Sequence, residues 1–156
     1  MTLLQTLQEK KRLTARITAL WALLSQSSVV EEGEEPEENP IDVRGDLERS
    51  IGQLEELTIK LNIANNAVLV SIGDYRVPMM QCLARRDVLK PKLAALTGYI
   101  NSLRTRNNNK YGQEQKKKVL VKGVDIKVLQ KEYDDLAQEL RNLDNAIQYT
   151  NVTTEL

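Results

Sequence analysis

Large apolar residues return at alternating steps of four and three along Leu129, Tyr133, Leu136, Leu140, Leu143 and Ile147. That period keeps one face of a helix against a neighbour, and it recurs in three other segments. The first predicts a helix from about Leu3 to Leu24, with Leu3, Leu7, Ile17, Trp21 and Leu24 in one stripe and Leu13 and Leu20 widening it; Lys10 and Thr14 interrupt its middle. The second predicts a helix from Asp42 or Asp46 to Ala67, with a seam of Leu47, Ile51, Leu54, Leu61 and Val68 and with Leu57 beside it. Thr58 and Asn65 fall on that seam, where a polar group costs stability but fixes register. The third helix should start near Pro78 and carries Met79, Leu83, Leu89, Leu93, Leu96, Ile100 and Leu103. Its seam breaks at the six-residue jump from Leu83 to Leu89, where Arg85, Arg86 and Asp87 sit. Pro91 then removes the hydrogen bond to the Asp87 carbonyl and predicts a kink. The fourth helix is expected to begin behind Asp125 as its N-cap and to run to about Tyr149.

The connections differ in kind. Glu31 to Pro40 holds six glutamates, one glycine and two prolines, and reads as a solvated, self-repelling linker. Val68 to Ile72 is β-rich and ends at Gly73-Asp74; a matching run lies at Lys118 to Lys122, and the two are expected to pair as a small ribbon. Arg106 to Gly112 is a loop by composition. The expected fold is therefore all-α: four long helices in antiparallel coiled-coil-like packing, with a kinked third helix and a small two-stranded β ribbon. A chain of 156 residues is the size of one domain, here residues 1–156 with the acidic linker at 31–40.

Composition narrows the chemistry. Phe is absent, so the core is aliphatic, and 22 basic side chains balance 22 acidic ones, leaving no overall field to draw in nucleic acid or an anionic membrane. Histidine is absent too, which removes the commonest general base and the commonest metal ligand together. The lone Cys82 forbids an internal disulfide, fits a reducing compartment, and reads as a small buried hydrophobe. The first residues lack a basic leader and run into charge, unlike a secretory signal. The longest uncharged stretch, residues 17–30, falls short of the ~20 apolar residues of a membrane-spanning helix. The expected compartment is the cytoplasm.

Three constellations invite chemistry. Adjacent carboxylates (Glu55/Glu56, Asp134/Asp135 and the linker glutamates) point in different directions on a helix or lie in solvent, so a solvated face is the expected reading. Between Arg104 and Lys127 stand eight basic residues with Tyr111 as the one aromatic among them, too few stacking side chains for a nucleic-acid platform. Charge complementarity with the acidic linker is the alternative. The sharpest cluster is polar: Asn62 and Asn65 near the end of the second helix, with Arg85, Arg86 and Asp87 in the third. A structural layer in which Asp87 neutralises an arginine is its default reading, and a ligand site the alternative.

Read together, VVEEGEEPEENP, the LARRDVL run at 83–89 and the ending IQYTNVTTEL resemble the putative septicolysin family of small bacterial proteins, as do LNIANN at 61–66 and the Val124-Asp125 entry to the last helix. Pro91 and Val152 depart from the family pattern. The resemblance implies a cytolysin, yet neither residues 17–30 nor 61–73 convincingly cover the ~30 Å of hydrocarbon that a helical pore needs. The expected function is that of a non-enzymatic cytoplasmic protein without cofactor, catalytic residue or metal, whose partner is a second copy of itself. No membrane or nucleic-acid partner is expected; a pore-forming cytolysin and a small-ligand or nucleic-acid binding module are the alternatives.

Overall fold

The computed structural model describes residues 1–107 and 117–156. Four helices and one hairpin follow in order: α1 (Leu3–Ser27), α2 (Pro40–Ala67), β1 (Leu69–Ile72), β2 (Tyr75–Pro78), α3 (Met79–Asn107) and α4 (Ile126–Thr153). The fold is all-α with a small β ribbon, as the hydrophobic period predicts. The chain divides into two compact units, Met1–Val68 with Tyr149–Leu156, and Leu69–Gln148.

In the first unit, α1 starts at a capping box. The Thr2 hydroxyl accepts from the Gln5 amide and the Gln5 side chain accepts from the Thr2 amide, so two donors left over at the helix start are satisfied. α2 starts earlier than Asp42: Asn39 caps it by accepting from the Ile41 amide at 2.9 Å, and Pro40 occupies the first turn, where its missing N–H is no loss. The last turn of α1 and the first of α2 share a cavity of about 350 Å³, as in an antiparallel hairpin. Between them the six linker glutamates are all exposed, and Gly33 turns the backbone at φ 88°.

The buried seam of this hairpin follows the coiled-coil period but not through the largest residues. On α2 it runs Val43, Leu47, Ser50, Leu54, Leu57, Leu61, Ala64 and Val68, all buried or half-buried. Half the positions match the expected seam. Val43 extends the seam by one step, and the other three positions shift by one residue, from Ile51, Thr58 and Asn65 to Ser50, Leu57 and Ala64, leaving Ile51 36% exposed. On α1 the seam likewise passes through Leu3, Thr6 and Leu13 to Ser27, and leaves Leu7 and Trp21 exposed. Small hydroxyl residues can lie at these depths because the helix itself satisfies them: Thr6 donates to the Thr2 carbonyl at 3.0 Å and Ser50 to the Asp46 carbonyl at 2.8 Å. Their small volume lets two helices come close; each fully buried leucine along the seam then contributes ~1.5–3 kcal/mol.

The same unit holds both ends of the chain. Thr2 and Glu155 form an antiparallel bridge, with the Leu3 amide donating to the Thr154 carbonyl and the Leu156 amide to the Met1 carbonyl, each at 2.9 Å.

In the second unit, β1 and β2 pair antiparallel with Ile72 opposite Tyr75, closing a two-residue turn at Gly73-Asp74. Gly73 has φ 58° while Asp74, like every non-glycine among the described residues, keeps a negative φ, the signature of a II′ turn. This corrects the expected partner of β1. Residues 118–122 form no strand, because the adjacent segment closes a far shorter loop at lower entropic cost. α3 follows Pro78 directly and continues through Pro91. Its seam does not break: Met79, Cys82, Arg86, Leu89, Leu93, Leu96, Ile100 and Leu103 keep the period, with Cys82 in the place expected for Leu83 and Arg86 filling the apparent gap. α4 is capped by Asp125 as expected, its carboxylate accepting from the Lys127 amide at 2.8 Å, and it extends past Tyr149 to Thr153. Ion pairs from Arg85 to Glu139 and Lys92 to Glu132 run up one helix and down the other, so α3 and α4 are antiparallel.

Candidate functional site

Two features of the second unit carry functional interest. The first is the seam itself. Leu143 and Ile147 are buried, but Leu129, Tyr133, Leu136 and Leu140 of α4 are only half-buried, as are Leu96 and Leu103 of α3. Two helices cover their shared seam from within and leave its outer edge open.

The second feature is a cavity of about 470 Å³ where the ribbon, α3 and α4 meet. Its floor is apolar, made by Cys82 and Leu143 with Ile72 and Val77 of the ribbon. Burial pushes the Cys82 thiol pKa up, so it is a thiol rather than a nucleophilic thiolate near neutrality. The rim is polar. Arg85 donates from Nε and Nη2 to the two carboxylate oxygens of Glu139 at 2.7 and 3.0 Å, a fork that joins the helices. These hydrogen bonds hold the Glu139 carboxyl below its usual pKa and raise that of Arg85. Asp135, one turn before Glu139, pairs with Lys131 at 2.8 Å, and Gln138 donates to Asn142 along the same helix.

The predicted polar cluster is distributed between the units. Asn62 and Asn65 belong to the first, exposed and half-buried respectively, with the Asn62 carbonyl accepting from the Asn66 side chain. Arg85, Arg86 and Asp87 belong to the second; Asp87 lies 3.3 Å from Arg86, and Arg85 engages Glu139. Sequence reasoning found Arg85 but missed Glu139, although a step of four from Asp135 on the flank of the seam was visible. Of the basic stretch, Arg104 donates to Gln130 at 3.3 Å, while Lys110, Tyr111, Glu114 and Lys116 lie outside the described residues. Among the described residues no group of His, Cys, Asp and Glu is placed to hold a metal ion, and no helix is long and apolar enough to cross a membrane.

No curated protein matches the chain. A solved structure, that of a functionally unknown conserved protein from Corynebacterium diphtheriae, is similar over 100% of this chain and 98% of that chain, with 29% identity and a TM-score of 0.80. A family model matches residues 10–156. Neither finding points to septicolysins, so that resemblance is corrected. The chain belongs to the family of unknown function DUF6847.

Proposed function

We propose that this protein works by assembling with copies of itself, the α3–α4 hairpin of one copy closing over that of another as an intermolecular four-helix bundle. The observation that carries this is the half-covered run of Leu129, Tyr133, Leu136 and Leu140 on α4, which lies on the same face as the buried Leu143 and Ile147 but keeps one edge open. A second hairpin related by a two-fold axis would bring the same seam to meet itself, the commonest solution for a soluble oligomer. The role is non-enzymatic: with no histidine in the sequence, the side chain that exchanges protons near neutrality is missing. A cytoplasmic setting suits the free, buried Cys82.

Light scattering on a sizing column tests the assembly. The mass should be at least twice 17.7 kDa. Leu136→Asp, which would place a carboxylate in the covered seam, should return it to the monomer with helicity largely retained. A wild-type monomer at micromolar concentration refutes the proposal.

A further inference from the structure

We infer that the cavity between the ribbon, α3 and α4 is a binding site for a small amphipathic amine, an alkyl or aryl body carrying an ammonium head. At about 470 Å³ it falls within the range of small-molecule sites, and it has their usual construction, an apolar floor under a few polar groups. Ile72, Val77 and Leu143 offer no hydrogen bonds, so the body of the ligand is hydrocarbon.

The head group follows from the charges on the rim. One cation, Arg85, faces two carboxylates, Asp135 and Glu139. Arg85 gives Nε and Nη2 to the two oxygens of Glu139, so its charge is matched by that carboxylate and only the donors on its Nη1 side are left for another partner. Lys92 stands behind Glu139, bonded to Glu132. Asp135 is therefore the carboxylate in excess, and its own partner is weak. Lys131 lies one turn back on the same helix, and both side chains are mostly exposed, at 78% and 67%. Such a pair contributes little and is easily exchanged. An ammonium entering over the apolar floor can take the place of Lys131 on Asp135 while its hydrocarbon leaves water. The site does not depend on the self-association proposed above: Leu129, Tyr133, Leu136 and Leu140 do not line it.

Three probes with one tail and different heads test it: octylamine, octanol and octanoate, titrated by calorimetry at pH 7 into the full-length protein. Octylammonium should bind tightest and octanoate weakest. Asp135→Asn, a change at an exposed position, should weaken octylammonium by about 3–10-fold, the worth of one partly exposed ion pair, and leave octanol unchanged. Amide resonances of Gln81, Cys82 and Leu143 should move with octylammonium in the wild type. The inference is overturned if octanoate binds as well as octylammonium, if Asp135→Asn leaves the order and strength unchanged, if the moving resonances lie elsewhere, or if none of the three binds at ~10 mM.

Discussion

Arg86 occupies a seam position that a leucine would ordinarily hold. Its side chain is 28% exposed and Asp87 lies 3.3 Å away. To a pattern search its charge marks a break, yet the aliphatic stem covers the seam while the guanidinium reaches the edge. The break was thus legible as a position but not as a continuation. Arg86→Met keeps the stem and removes the desolvated charge, and Asp87 is exposed enough to lose its partner cheaply, so urea unfolding should show stability unchanged or raised by up to ~1 kcal/mol. Glu139 makes a separate statement about pH. Because Arg85 lowers its pKa in the folded protein, its contribution is complete above its ordinary value of 4.5 and is lost as pH falls through the depressed value. Comparison of thermal midpoints should therefore show Glu139→Gln slightly less stable than wild type at pH 7, with the gap closing below pH 4. The carboxylate is partly exposed, so the gap is expected to stay below ~1 kcal/mol.

At the scale of the helix, the period could be read from the sequence and its phase only in part. Leu47, Leu54 and Leu61 lie on the α2 seam in either phase, but the alternate steps point to Ile51, Thr58 and Asn65, whereas the structure buries Ser50 and Ala64 and leaves Leu57 and Thr58 alike half-buried. Ranking by hydrophobicity favours Ile51 over Ser50. Close packing of two backbones favours the reverse, and the hydroxyl's bond to the Asp46 carbonyl removes the penalty. Hence Ser50→Leu should overpack the α1–α2 contact and lower stability by ~1–3 kcal/mol, whereas Ile51→Ser should cost under ~1 kcal/mol. The opposite order in thermal melts would restore the other phase. The ribbon was half legible for a related reason. Gly73-Asp74 marked a turn, but Tyr75 to Pro78, with an arginine and a proline, lacks the apolar run that draws the eye to Lys118–Lys122.

For the whole molecule, the all-α fold was legible because four segments share one period. The cavity was not, because its rim and floor come from the ribbon, α3 and α4, and only a hairpin partner placed next to Val77 and Cys82 creates it. Net neutrality with segregated charge raises the question of what holds an assembly together. If the α4 seams do, as proposed, raising salt from ~0.05 to ~0.5 M shortens the screening length to a few ångströms and should leave the mass unchanged or increased. Dissociation in salt would assign the contact to the exposed glutamates 31–38 and the basic stretch instead.

The backbone bridge between Thr2 and Glu155 also sets an order of events at the ribosome. Residue 155 is synthesised about 150 residues after residue 2, roughly eight to thirty seconds later at about 5–20 residues per second. Throughout that interval α1 and α2 have their own seam to close, while the amide of Leu3 has no strand to donate to. The nascent chain thus carries one open backbone edge beside α1 until residues 154–156 arrive. A ribosome stalled before them would present that edge to whatever else is nearby, and the closing bridge records, in hydrogen bonds, that residues 154–156 have been made.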